Sequence, residues 1–307
     1  MSENKILDLI ILGAGPAGLA ASVYASRYKI DHLVIGSEIG GYLNEIHKVE
    51  NYPGFESISG LELGQKMASH AKYFGAEIKQ EIIEDIKKLN DHFEIKTNNG
   101  FHRTKFLLYS IGTSARRLGI PGEDEFKGRG VSYCATCDGP FFKDKQVVVV
   151  GGANSAAVAT LMIAEHAKKV TMFYRGEKPR CTPTYLEQMQ RNPKIEIVCC
   201  TNLKEIKGEN KVESIILDKP YNKKNEFETD GVFIEIGSNP NNSLIMSLGV
   251  KTDQRGYIKT ETDQSTSLEG FYAAGDITTN SNGFRQIVTA TAEGAIAVYS
   301  IYEKMNS

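Results

Sequence analysis

One arrangement of apolar and polar positions occurs twice along this chain. From Leu7 to Gly36, "LDLIILGAGPAGLAASVYASRYKIDHLVIG" gives a short apolar run, a glycine turn, a stretch of small and apolar residues, and a second apolar run. From Lys145 to Gly176, "KQVVVVGGANSAAVATLMIAEHAKKVTMFYRG" does the same. Runs that stay apolar instead of alternating suit strands covered on both faces, as in a parallel sheet. Each stretch therefore predicts strand, turn, helix and strand, a βαβ unit of about 30 residues. Two such units so far apart predict two nucleotide-binding domains rather than a stacked repeat array.

Between them, "FEIKTNNGFHRTKFLLYSIG" alternates and turns at Asn98-Asn99-Gly100, which predicts a hairpin leading into a last strand. The following "TSARRLGIPGEDEFKGRGVS" is polar, glycine-rich and carries a proline, so it is a candidate hinge. After the second unit come "KVESIILD" and "FETDGVFIEIG", and "GSNPNNS" (Gly237 to Ser243) is the candidate return hinge. The tail, "GFYAAGDITTNSNGFRQIVTATAEGAIAVYSIY", predicts a strand, a Gly-Asp turn and a helix of small residues. The expected fold class is α/β with two Rossmann-like domains, the second inserted into the first. Its expected boundaries are 1–115 with 245–307 for the outer domain and 116–244 for the insert.

Composition narrows the function classes. The 307 residues suffice for two domains with separate cores. A chain 41% hydrophobic and 24% charged is expected to be globular and soluble. A net charge of −2 and no basic, aromatic-rich module argue against nucleic acid. No apolar run approaches the roughly 20 residues that span a bilayer, so no membrane association is expected. The N-terminal apolar run ends in glycines, as a strand does, and is not a signal peptide. The five cysteines, Cys134, Cys137, Cys181, Cys199 and Cys200, form an odd and sparse set. That argues against a disulfide scaffold and for the cytosol. Cys199 and Cys200 are adjacent rather than spaced as ligands, and the histidines form no partner motif, so no metal site is expected. The sequence assigns no role to Cys181, Cys199 or Cys200.

Three segments carry chemistry. "GAGPAG" fits the dinucleotide fingerprint: Gly13 for the tight turn, Gly15 for backbone approach to a pyrophosphate, Gly18 for helix–strand packing. The acid that often holds a ribose hydroxyl is displaced: Gly36 stands about 20 residues on, and Glu38 two further. Asp276 in "AAGD" sits at a strand end among small residues, where a carboxylate can accept hydrogen bonds from a sugar; the alternative is a helix cap. "Cys134-Ala-Thr-Cys137" is short enough to close a disulfide, and this spacing lowers thiol pKa. Two inert cysteines, or half of a metal site, are the alternatives.

Taken together, the motifs resemble the low-molecular-weight thioredoxin reductases, flavoproteins of the pyridine nucleotide–disulfide oxidoreductase group. "GAGPAG", "GSEIGG", "VENYPG", "SIGTSARRLGIPGE", "YCATCDG", "DGVFIEIGSNP", "GFYAAGD" and "RQIVTATAEG" stand in the family's order and spacing across nearly the whole chain. The resemblance implies FAD in the outer domain. Its site would comprise Gly13, Gly15, Ala17 and Gly18, then Gly36, Ser37, Glu38, Gly40 and Gly41, with Asn51, Asp276, Arg285, Gln286 and Ile287. Tyr42 departs from the family, which usually has Gln there. The resemblance also implies that Cys137 meets the flavin, that Cys134 attacks thioredoxin, and that Asp138 exchanges protons with the departing thiolates. A dithiol facing the flavin cannot also face a protein, so the family rotates its inserted domain between two hinges. Homodimerisation is implied as well.

The second glycine turn departs from the family. Where ordinary members read Gly-Gly-Gly-Asp-Ser-Ala and bind NADPH, this chain reads Gly151-Gly152-Ala153-Asn154-Ser155-Ala156. The Ala153 methyl intrudes where backbone must approach the pyrophosphate. Downstream, Tyr174-Arg175-Gly176-Glu177-Lys178-Pro179-Arg180-Cys181 replaces a 2′-phosphate grip that has one more arginine. Losing one such contact costs on the order of 1.5–3 kcal/mol, roughly ten- to a hundredfold in affinity. Gly152, Ser155, Arg175 and Arg180 remain candidates for NADPH. The expected donor is therefore atypical and ferredoxin-like, with conventional NADPH as the alternative and NADH or free reduced flavin behind it. A rival from another class is a non-catalytic flavin redox sensor, which needs no dithiol.

Overall fold

The computed structural model describes residues 5–46 and 49–307. The chain divides into two compact units, Met1–Ser114 with Asn239–Ser307, and Ala115–Ser238. In chain order the first opens with β1 (Ile6–Leu12), α1 (Pro16–Arg27) and β2 (His32–Gly36). It continues with α2 (Gly60–Tyr73), β3 (Glu77–Gln80), β4 (Ile83–Lys88), β5 (Phe93–Thr97) and β6 (Gly100–Tyr109). A short strand, β7 (Thr113–Ala115), leads into the second unit. That unit contains β8 (Val131–Ser132), α3 (Ala135–Asp138), β9 (Gln146–Val150), α4 (Asn154–His166) and β10 (Lys169–Phe173). Then come α5 (Pro183–Arg191), β11 (Ile195–Val198), β12 (Leu203–Lys207), β13 (Ser214–Tyr221), β14 (Lys224–Glu228) and β15 (Gly231–Ile234). The chain returns through β16 (Ser238–Pro240), paired with β7, to β17 (Phe271–Ala273) and α6 (Ile287–Asn306).

The first unit is built on a seven-stranded sheet, order β3-β2-β1-β6-β5-β4, with β17 also on β6. β5 pairs antiparallel with the first half of β6, up to Thr104. β17 pairs parallel with the second half, Leu107–Tyr109, on the edge that β5 leaves. The apolar runs are buried as their pattern requires: Leu9, Ile10, Ile11 and Leu12 are fully inaccessible. On one face α1 and α6 pack through small residues, Ala17, Ala21, Ala25, Ala290 and Ala297. Their approach is close enough that a Cβ on Gly294 would strike the carbonyl of Ala17.

The second unit repeats the theme with a parallel sheet, order β11-β10-β9-β15-β8. An antiparallel sheet of β12, β13 and β14 follows. The two βαβ units fall where the sequence pattern puts them.

The polar segment expected as a hinge holds the junction between the two units, at Ser114 and Ala115. Beyond Ala115 it belongs to the second unit and is largely exposed, but Phe126 is buried and Leu118 and Ile120 pack beside it. The cause is Glu123, only 2% exposed, whose carboxylate accepts from the N–H groups of Leu118, Gly119 and Ile120. An acid that collects three amides turns a glycine-rich stretch into a fixed turn. Among the described residues no helix is long and apolar enough to cross a membrane.

Candidate functional site

In the first unit the glycine turn follows β1 directly. Gly13 has φ +107°, a conformation L side chains rarely adopt, and a Cβ there would strike Ser110. Gly15 is different: its φ of −87° suits any residue. A Cβ on it would meet only the Gly40 carbonyl, 4.0 Å away. Its missing side chain therefore leaves open space at the N-terminus of α1, the positive end of a helix dipole. The loop after β2 closes on this turn. The Gly40 N–H donates to the Ala14 carbonyl at 2.8 Å, and a Cβ on Gly41 would stand 3.2 Å from the Gly15 Cα. Gln80 holds the Ser37 carbonyl (3.0 Å), and the Asn44 amide donates to Glu38 (2.8 Å). Tyr42, in the 3-10 turn Gly41–Glu45, is well exposed.

The C-terminal tail joins the same unit. The Gly275 N–H donates to Glu293 of α6 at 2.7 Å, and the hydroxyls of Thr278 and Ser281 donate to the same carboxylate (3.1 and 2.6 Å). This fixes the "AAGD" turn beside α1, where a Cβ on Gly275 would lie 3.1 Å from the Ala17 Cβ. Burial pushes the Asp276 carboxyl up to about 6, with nearby Arg285 opposing and Glu293 adding to the rise. Asp276 is the N-cap of no helix among the described residues: α6 is capped by Gln286, reciprocally with Thr289. Arg285 donates through Nε to the Asp276 carbonyl (3.1 Å) and stacks on Tyr257, 4.1 Å from the ring centre. The Asn51 amide donates to the Gln286 side chain at 3.0 Å, and Ile287 packs against the cluster of Leu43, Val49, Ile58 and Leu63. His47 and Lys48, in the loop before Asn51, lie outside the described residues. Sequence-distant candidates thus meet in one unit: an open glycine turn at a helix N-terminus, a buried carboxyl whose pKa is raised chiefly by desolvation, and an amide–amide bridge. A dinucleotide offers a pyrophosphate to the first and sugar hydroxyls to the second, so the residues fit FAD.

In the second unit β8 delivers the dithiol. The Ser132 hydroxyl accepts from the Cys134 N–H (3.1 Å). Cys134 and Cys137 form a disulfide, with Cα atoms 5.3 Å apart. Cys134 stands at the N-cap of α3, and its sulfur accepts from the Cys137 N–H at 3.2 Å. Asp138 closes the same turn, half-buried. The preceding residue is anchored too: the Tyr133 hydroxyl donates to buried Glu123 at 2.7 Å. Among the described residues no group of three or more histidines, cysteines or acids is arranged for a metal, and Cys181, Cys199 and Cys200 are free thiols. Burial, and then Cys200 beside it, push the Cys199 thiol up.

One neighbour of the dithiol escapes the sequence reading. Glu235, just past β15, accepts from the Ala135 N–H through Oε1 at 3.4 Å. Burial pushes its carboxyl up to about 7. Its signal was an acid set inside the apolar run "VFIEIG", at the strand's exit.

The second glycine turn is packed against Tyr174 at Gly152, while Ala153, Asn154 and Ser155 at the start of α4 are exposed. Tyr174, at the end of β10, is buried, and a Cβ on Gly152 would enter its ring. A Cβ on Gly176 would approach the other side of that ring at 2.6 Å. The loop then folds back: the Arg180 N–H donates to the Gly152 carbonyl (2.6 Å) and the Thr182 N–H to the Asn154 side chain (2.8 Å). Arg175, Arg180 and Ser155 are exposed around it.

Comparison with known proteins agrees with this geometry. The family described as pyridine nucleotide-disulphide oxidoreductase matches residues 7–294, and the chain belongs to it. The chain is 43% identical over 304 residues to a thioredoxin reductase of Bacillus subtilis, covering 98% of this chain and 95% of that one. Its structure is similar to thioredoxin reductase from Streptococcus pyogenes, with a TM-score of 0.90, 34% identity and 99% of each chain covered. It is also similar to a ferredoxin-flavin thioredoxin reductase from Clostridium acetobutylicum, with a TM-score of 0.53, 32% identity and 98% of each chain covered. The protein is an FAD-dependent disulfide oxidoreductase. Within that class it is of the thioredoxin reductase type.

Proposed function

We propose that this protein reduces the disulfide of a thioredoxin through Cys134 and Cys137, and that its electrons come from a ferredoxin-like donor rather than from NADPH. The outer unit is the FAD-binding domain and the inserted unit is of the NAD(P)H-binding type, carrying the dithiol. Gly13, Gly15 and Gly18 with the loop Gly36–Gly41 would hold the pyrophosphate and adenosine. Asp276 would take the sugar hydroxyls, and Asn51, Arg285, Gln286 and Ile287 the flavin end. When bound and reduced, the flavin supplies two electrons.

The protein's own part is thiol chemistry. Two electrons break the Cys134–Cys137 bond, and two protons complete the two thiols. Cys134, as thiolate, attacks one sulfur of the thioredoxin disulfide, forming a mixed disulfide and expelling the other sulfur as thiolate. Cys137 then attacks Cys134, re-forming the internal disulfide and releasing the second thioredoxin sulfur. Asp138 hands protons to the departing thiolates and recovers them from the attacking thiols. The observation that carries the reductase reading is the disulfide itself, half-exposed at the C-terminal edge of a parallel sheet. Assembly as a homodimer follows the family.

The donor reading is supported by Tyr174. Its ring stands where Gly152 leaves room, and the Arg180 amide already engages the Gly152 carbonyl. Both contacts tie the loop after β10 to the turn, beside the Ala153 methyl. The second reading, weak NADPH use, is favoured by exposed Arg175 and Arg180 beside that turn. Anaerobic flavin absorbance, followed while NADPH, NADH and reduced ferredoxin are added separately, distinguishes them. Rapid bleaching by ferredoxin, with little from micromolar NADPH, is expected. Rapid bleaching by micromolar NADPH would overturn the donor assignment.

A further inference from the structure

We propose that Glu235 is a positioning residue for the redox pair: its carboxylate anchors the amide between the two cysteines, and its charge sets how readily the reduced dithiol gives up a proton. The proposal rests on the reading of Cys134 and Cys137 as the redox couple. Its basis is placement. β15 is flanked by β8, which delivers the dithiol, and by β9, which delivers the second glycine turn. Glu235 leaves β15 at that edge, its own N–H bound to the Val150 carbonyl at 2.8 Å. Its side chain reaches Ala135, the residue immediately after Cys134, across a sequence separation of 100.

Other ionisable groups stand close by. From α3, Asp138 and the two sulfurs face the same turn. Arg116 lies alongside Gly237, two residues past Glu235. The turn after β9, Gly151 to Asn154, contributes nothing ionisable. No neighbouring charge accounts for the elevated carboxyl, which burial alone raises to about 7. Glu235 therefore gains its negative charge in the pH range where thiols of a Cys-x-x-C pair lose their protons. A carboxylate a residue away from a thiol disfavours thiolate, so each ionisation opposes the other and the titration broadens.

The test is thiolate absorbance of the FAD-loaded, fully reduced protein, titrated anaerobically from pH 5 to 10 in native and Glu235→Gln forms. Glutamine keeps an acceptor for the Ala135 N–H but carries no charge. The thiolate midpoint is expected to fall by about half to one pH unit in E235Q, with a sharper transition. An unchanged midpoint would overturn the proposal, because a merely structural bond survives in the glutamine form. A second reading needs no change at Glu235: alkylation of Cys134 by iodoacetamide, plotted against pH, should show an additional inflection near 7 that persists in Asp138→Asn. Its absence in native protein, or its loss in D138N, would likewise contradict the proposal. Thioredoxin turnover is measured separately. A shifted titration without turnover would sink the reductase reading and leave the Glu235 coupling standing.

Discussion

At the scale of single residues, identity was legible where chemistry is local. Gly13 and the Cys134–Cys137 pair announce themselves because a tight turn and a short disulfide each need only a few adjacent positions. Asp276 was legible from its small neighbours, but its state was not. Its carboxyl rises from 3.8 to about 6 because the fold buries it. Between those values the folded protein binds more protons than the unfolded chain, so stability falls as pH rises through that window. FAD-free native protein should accordingly lose stability between about pH 4 and 6, and Asp276→Asn should flatten that decline. Urea midpoints at successive pH values check this, and a native curve no steeper than that of D276N would contradict it. Glu235 and the Tyr174 ring were not legible. One depends on two residues that only a sheet order brings together, the other on a ring orientation that no spacing encodes.

At the scale of elements, both βαβ units could be read from the sequence, because a continuous apolar run, a glycine turn and a small-residue helix leave few alternatives. The polar connector was legible only in part: the junction of the units lies at its start. Glycine, proline and charge suggested a hinge along its length, but past the junction Glu123 gathers three backbone amides and the Tyr133 hydroxyl and ties the segment to the dithiol's own strand. Glu123→Ala should cost about 1–3 kcal/mol of the second unit's stability, since several part-buried donors lose their acceptor together. Chemical denaturation followed by a probe in that unit measures it, and a loss below about 0.5 kcal/mol, typical of a surface change, would contradict the account. The tail was read correctly as strand, turn and helix. Its partner on the sheet was hidden, because β17 occupies an edge available only where β5 stops.

At the scale of the whole molecule, the chain is a nucleotide-binding unit interrupted by a second one that carries the reactive sulfurs. The sequence showed the duplication, because the pattern occurs twice, and the insertion, because the tail completes what the first unit begins. It could not show how the chain packs around the second glycine turn. Ala153 and one missing arginine suggested a weakened site, whereas the folded loop places Tyr174 and the Arg180 amide on the turn itself. The central claim is the sulfur route. Its most direct measurement mixes chemically pre-reduced protein with oxidised thioredoxin, without oxygen, and counts the thioredoxin thiols formed by native, Cys134→Ser and Cys137→Ser forms. Native protein should yield two thiols per electron pair; Cys134→Ser should yield them slower by on the order of a thousandfold or more, and Cys137→Ser should release one thiol, stop at the mixed disulfide and release the second slower by a similar factor. Turnover of the Cys137→Ser form at the native rate would contradict the account.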